Sequence, residues 1–205
     1  VIGSQDETPP SFTGRLDHLA IGEKDDASAS SFSNVAAITD SPYKVDGPFS
    51  CLHLDEYDIS AYCSGSSCPT MGATGQVRNA AQFDGQDDML SIPFESFDVW
   101  GGSAFSLWVK PTAMKSQRQV LLSLQNEYLD FDLSLDQELK PAWSFLTKDD
   151  DDGGMKYVTL TGDAPLLLNT WNHIVVVDGI ESRLTPPLEK QNLLLLNGSP
   201  MNVTR

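Results

Sequence analysis

Hydrophobic and polar positions alternate with a period of two in segment after segment of this chain, the spacing of strands rather than helices. Phe105, Leu107 and Val109 fall on one face, Ser106, Trp108 and Lys110 on the other, and Pro111 closes the strand where no ladder donor is needed. Leu129, Phe131, Leu133 and Leu135 alternate with Asp130, Asp132, Ser134 and Asp136, which predicts a half-buried strand with one core face and one acidic face. Val120 to Leu124, Trp143 to Leu146 and Tyr157 to Leu160 are further strands, and Trp171, His173, Val175 and Val177 share a face of the next. Leu193 to Leu196 meets Asn197-Gly198, a strong hairpin signal. Upstream, Cys51 to Leu54 reads as a strand. Ala81 with Phe83, and then Met89 to Ile92, read as short strands on either side of the turn Asp84-Gly85-Gln86-Asp87-Asp88. Phe12 to Ile21 is also a strand, but Leu16, Leu19 and Ile21 do not share one parity, which predicts a bulge or a strand covered on both faces. No segment carries a helical period.

The remaining stretches are connections. Val1 to Ser11 contains Pro9-Pro10 and is linker-like; residues 25–48 are rich in Ser, Ala, Asp and Pro, with one apolar patch from Val35 to Ile38. The chain therefore divides into a terminal strand segment at 1–24, a linker at 25–48 and a main domain at 49–205. At 205 residues, one all-β domain is the natural reading.

The order Gly75, Asn79-Ala80, Phe83-Asp84-Gly85, Asp87-Asp88, Ile92-Pro93, Phe105-Ser-Leu-Trp-Val-Lys-Pro111, Trp171-Asn-His-Ile-Val-Val-Val and Asn197-Gly198 resembles the laminin G-like, concanavalin A-like domains of large cell-surface proteins. The resemblance implies a two-sheet antiparallel jelly-roll sandwich. Function does not follow from it, because that sandwich hosts lectins, adhesion modules, spacers and glycosidases alike. Domains of this type end in a strand resembling Phe-x-Gly-x-Ile-Asp-x-Val-x-Ile. Its likeness here is Phe12-Thr-Gly-Arg-Leu-Asp-His-Leu-Ala-Ile21, so the sequence looks cyclically offset by one strand. Phe12, Leu16, Leu19 and Ile21 are then expected to complete a sandwich, either their own or, as the preferred recipient, that of a neighbouring copy or repeat joined head-to-tail.

Charge narrows the partners. With 13 Lys and Arg against 29 Asp and Glu, the net charge is −16, which repels a phosphate backbone and leaves nucleic acid an unsuitable partner. The same excess offers oxygen ligands to calcium. No apolar run approaches the roughly 20 residues of a membrane helix. The chain begins with Val1 and shows no leader, and is read as processed or as a window of something longer. Cys63 and Cys68, separated by small flexible residues, are expected to form a disulfide, which implies an oxidising, extracellular or cell-surface location. Cys51 is left over as a small strand residue, and no second Cys or His pair stands at zinc spacing.

Candidate chemistry is sparse. Asp130 and Asp132 stand at i and i+2, about 7 Å apart, compatible with paired-carboxylate glycoside hydrolysis. Jelly-roll glycosidases of the laminarinase type resemble Glu-x-Asp-x-(x)-Glu on such a strand; here Tyr128 and Ser134 stand at the Glu positions, so the proton donor is missing and a solvated face explains the strand better. His18, His53 and His173 read as lone strand histidines, and Asp149 to Asp152 as a solvated loop lacking the positions of an EF-hand. Asp84, Asp87 and Asp88 form the better calcium corner, although turn formation explains them equally. Asn197-Gly-Ser and Asn202-Val-Thr are N-glycosylation sequons, the first followed by Pro200. The expectation is a non-enzymatic extracellular adhesion module, a subunit or repeat of a filament or matrix assembled by strand complementation. The alternative is a calcium-dependent lectin-like domain that binds glycans through loops near Asp84 to Asp88 and Asp149 to Gly154. A glycosidase is the third reading. Trp108 and Trp171 are expected to be structural.

Overall fold

The structure, a computed structural model, describes residues 12–23, 49–52, 63–91, 103–125, 130–148, 154–178 and 193–205. They form thirteen strands: β1 (Thr13–Glu23), β2 (Phe49–Leu52), β3 (Thr70–Thr74), β4 (Asn79–Asp84), β5 (Ser103–Pro111), β6 (Gln119–Gln125), β7 (Asp130–Leu135), β8 (Pro141–Lys148), β9 (Met155–Gly162), β10 (Asn172–Asp178), β11 (Leu193–Leu196), β12 (Ser199–Pro200) and β13 (Val203–Thr204). Two antiparallel sheets result, one running β12-β11-β10-β5-β1-β4-β3 with β2 also paired to β1, the other β13-β9-β8-β7-β6. This is the predicted jelly-roll sandwich.

The alternating apolar residues meet between the sheets. Phe105 of one sheet packs on Phe131 and Trp143 of the other with ring centroids 4.7 and 5.6 Å away, and Phe131 lies 4.6 Å from Trp143. Trp143, 1% exposed, is the core tryptophan among the described residues. Trp108 and Trp171, expected to be structural, are only half-buried: the Trp108 side chain points to the outer face of its strand and Trp171 stands just before β10. Met89 to Ile92 is not a strand in the described part; Leu90 makes an isolated bridge, and Ile92 lies outside the described residues.

β1 is an internal strand. Leu16 pairs with Ala81 of β4 on one side and Val109 of β5 on the other, and further along Ile21 pairs with Ser50 of β2 and Phe105 of β5. The parity break is a bulge: Asp17 faces Trp108 while Ala20 faces Ser106, so β1 carries one residue more than β5 there. The extra residue lets Leu16 and Leu19, at 1% and 3% exposure, both point into the core, beside Phe12 at 0%. The Ile21 side chain lies outside the described residues, as do the His18, Cys51 and His53 side chains, the linker and the Asp149 to Asp152 run. In this structure the recipient of the strand is its own chain. Asp17, 2% exposed at the bulge, accepts the Gln76 and Val77 amides at 2.9 and 2.8 Å, tying β1 to the turn between β3 and β4.

The predicted turns take their expected geometry. Gly85 has φ of 80°, where an added Cβ would strike the Thr13 hydroxyl. Asn197 and Gly198, at 51° and 82°, join β11 to β12. Cys63 and Cys68 are bonded, their Cα atoms 5.1 Å apart.

Candidate functional site

The acidic corner follows β4. Asp84, Asp87 and Asp88 each bring a carboxylate oxygen within 4.8 Å of the others. Part of this capacity serves the turn: Asp84 accepts the Gln86 amide at 2.7 Å, Asp88 accepts the Asp84 amide at 2.6 Å, and Asp87 accepts the Ser67 hydroxyl at 3.2 Å. Ser67 belongs to the loop closed by the disulfide, and its carbonyl accepts the Met89 amide at 2.9 Å, so that loop braces the corner from outside. Lys115 reaches the Gly85 carbonyl from the loop after β5. Burial pushes the Asp88 carboxyl above its ordinary 3.8, opposed by the bond from Asp84 N–H and assisted by the Asp84 and Asp87 charges. Asp84 and Asp87 are exposed, Asp88 buried.

The second candidate is the outer face of the five-stranded sheet. Register puts Ser123 of β6 opposite Asp132 of β7, Asp132 opposite Ser144 of β8, and Ser144 opposite Thr159 of β9. Paired residues share a face, so four strands contribute one polar side chain each to a continuous row. Ser144 and Thr159 hydroxyls are 2.8 Å apart. Arg118, half exposed, donates to Asp132 at 2.8 Å and braces the carboxylate from the strand-entry side. Ser123 and Ser144 lie low, while Tyr157, two residues from Thr159, is 58% exposed and stands on the same face. Asp130 opens β7, and its side chain lies outside the described residues. Sequence reasoning saw the acidic face of β7 but missed Arg118, Ser144, Tyr157 and Thr159. The outward parity of Ser144 and Thr159 in their own strands was the available signal.

His173 has a packing role. It is 6% exposed, its Nε2 lies 2.7 Å from the Ser106 hydroxyl, and its ring stacks on Trp108 with centroids 4.7 Å apart. Burial holds its pKa below the ordinary 6.5.

Residues 84–183 match the family model described as the concanavalin A-like lectin/glucanases superfamily. No curated protein and no solved structure matches the chain. Among the described residues no helix is long and apolar enough to cross a membrane. Two antiparallel sheets around one core, together with that match, support a laminin G-like domain of the concanavalin A-like superfamily.

Proposed function

We propose that this domain is an extracellular, non-catalytic adhesion module that binds polyhydroxylated ligands, glycans in the first place, on the outer face of its five-stranded sheet. The observation that carries the reading is the in-register row Ser123, Asp132, Ser144 and Thr159 beside exposed Tyr157. The exposed Thr159 hydroxyl and the Asp132 carboxylate, backed by the buried Ser123 and Ser144, can exchange hydrogen bonds with sugar hydroxyls, and the exposed Tyr157 ring offers a flat apolar surface for the C–H face of a pyranose. Binding without hydrolysis is the reading because Asp132 is committed to Arg118 and Ser134 stands where the strand would need its proton donor. The Cys63–Cys68 bond agrees with an oxidising location. Calcium enters this reading at the acidic corner. The corner shares its oxygens with the turn and has the Lys115 ammonium on the Gly85 carbonyl, so its affinity belongs in the range of about 10⁻⁴ to 10⁻³ M usual for extracellular modules.

A glycan array followed by titration calorimetry tests this. Binding by the wild type should disappear in Asp132→Ala and persist in chelator, because the corner and the face are separate sites. Binding abolished by chelator and indifferent to Asp132 would move the ligand to the corner. Sugar release lost in Asp132→Asn would make the protein a glycosidase.

One observation favours assembly by strand exchange as a second reading. β1 is flanked on both sides, so a copy whose β1 leaves its sheet exposes two ladder edges and the slot of Phe12, Leu16 and Leu19. A neighbour's β1 would restore the same contacts. Mixing two labelled populations at high concentration tests it: energy transfer that grows over hours supports exchange, and lasting monomers with β1 amides protected from hydrogen exchange exclude it.

A further inference from the structure

The two sequons stand in different surroundings. Asn197 is the first residue of the β11–β12 turn at φ 51°, its amide N–H donates to the His173 carbonyl at 2.8 Å, and its side-chain oxygen accepts the His173 amide at 2.9 Å. Both hydroxyl residues sit in short paired strands, Ser199 opposite Leu196 and Thr204 opposite Thr161, and the Thr204 hydroxyl donates to the Thr161 carbonyl at 3.5 Å, so what separates the sequons is the Asn197 side chain held by the His173 amide and Pro200 behind Ser199. Asn202 is exposed between β12 and β13, with Val203 and Thr204 exposed after it. Its Nδ2 donates one hydrogen to Asp163 at 2.7 Å, and its carbonyl accepts the Asp163 amide at 3.0 Å.

Asn202 also holds a particular place in the fold. β12 ends the eight-stranded sheet and β13 ends the five-stranded one, so among the described strands Asn202 lies on the seam between two open sheet edges. Open edges carry unpaired backbone donors and acceptors and template pairing with other chains unless something shields them. Both edges are only two residues long and Pro200 removes one donor from β12, but neither edge carries a Lys or Arg between Ser199 and Thr204.

We propose that Asn202 is an N-glycosylation site and Asn197 is not, and that the glycan at Asn202 shields the seam. In the transfer, Asn202 Nδ2 attacks the anomeric carbon of a lipid diphosphate-linked oligosaccharide. The C–N bond forms, the C–O bond to phosphate breaks, the lipid diphosphate leaves with the electron pair, and one amide proton passes to a base of the transferase. One N–H remains on Nδ2, so the bond to Asp163 survives the modification. The site rests on the extracellular reading alone; glycan binding by the sheet face is scored separately, and either can fail without the other.

The experiment is secretion of the full chain from a eukaryotic cell line, with intact mass and site mapping, alongside Asn202→Gln and Thr204→Ala. One glycan is expected, on Asn202, absent from both variants. A secreted wild-type chain with no glycan, or with its glycan on Asn197, overturns the site. For the shielding role, both variants should melt within a few degrees of the wild type, yet associate in light scattering at concentrations where the glycosylated protein stays monomeric. Two folded, unglycosylated variants that remain monomeric throughout overturn the shield. If one variant folds poorly, the other carries the comparison.

Discussion

The two outer faces of this sandwich were built by the same alternation and ended differently. On the eight-stranded sheet, Ser106, His173, Val175, Val177 and Leu195 are buried, at 1% to 6% exposure, and their polar members satisfy each other. On the five-stranded sheet, Ser123 and Ser144 of the outward row are also buried, at 4% and 8%, but the same face rises at Tyr157 and Arg118 to more than half exposure. A strand with polar residues at alternate positions therefore does not announce a solvent face. Ser106 and Asp132 have equivalent sequence signatures, and burial alone separates a structural hydrogen bond from a candidate contact surface.

The comparison breaks most violently if the core that both faces share is removed. Trp143→Ala should cost about 3 to 5 kcal/mol and leave little soluble protein, and Leu16→Ala about 2 to 5. Trp108→Ala should cost clearly less than Trp143→Ala, since its ring is only half-buried on the outer face. Chemical denaturation of the three variants checks the order; equal losses at Trp108 and Trp143 would mean that the eight-stranded sheet's outer face is a second core.

How much of this was legible follows from where the signals were local. Strands β5, β7 and β10 announce themselves because each packs one face on a continuous core, the Asn197-Gly198 turn and Gly85 because their backbone angles favour those residues, and Asp84 because its carboxylate accepts the Gln86 amide. The bulge in β1 was visible as a failure of parity between Leu16 and Leu19. β3, Thr70–Thr74, was not visible: Met71 and Ala73 do alternate with exposed Thr70, Gly72 and Thr74, but two partly buried positions, one of them an Ala, make too weak an apolar stripe for the period to stand out over five residues. The function of Asp17 was not visible either: its carboxylate is fixed by amides about sixty positions away, and no spacing rule reaches that far. Of the candidate site, the three aspartates of the corner are close in sequence and were found. The row across β6 to β9 is assembled only by register, and Ser144 or Thr159 means nothing until each is seen opposite its partner.

A gentler break probes the buried polar pair. His173→Ala leaves the Ser106 hydroxyl buried without its partner and should cost about 1 to 3 kcal/mol. pH makes the same point in the wild type. The folded pKa of His173 lies below 6.5, so on acidification the unfolded chain takes up its proton first; the contribution is fully present above about pH 6.5 and is lost as pH falls through the folded value. Melting temperatures in His173→Gln should decline less between pH 7 and 5 than in the wild type. Parallel declines would assign the acid sensitivity to other groups.

Asp88 has the opposite sign. Its folded pKa lies above 3.8, so its contribution is fully present below that value and is lost as pH rises through the folded one, leaving a neutral-pH cost to which Asp84 and Asp87 add. Asp88→Asn keeps an acceptor for the Asp84 amide and removes the charge, and should melt no lower than wild type at pH 7. Calcium at millimolar concentration should raise the wild-type melting temperature by RT ln(1 + [L]/Kd) in free energy and leave the variant unmoved. An equal rise in both would place any bound ion elsewhere.

The smallest stability effect should accompany the largest functional one. Tyr157 is 58% exposed at the far side of the polar row, and substitutions at such positions usually stay within about 0.5 kcal/mol. Tyr157→Ala should therefore melt with the wild type. The stacking surface for a sugar ring goes with the side chain, so affinity for whichever glycan the wild type selects should fall by roughly tenfold or more, the equivalent of about 1.4 kcal/mol. Tyr157→Phe separates ring from hydroxyl: retained affinity assigns the contact to stacking, lost affinity to the hydroxyl. Ser106→Ala is the control from the other sheet, where the order should invert, with stability lowered and glycan affinity unchanged. A domain in which Tyr157→Ala binds like wild type while Ser106→Ala does not would have its ligand surface on the eight-stranded sheet, and the assignment of the two faces would be reversed.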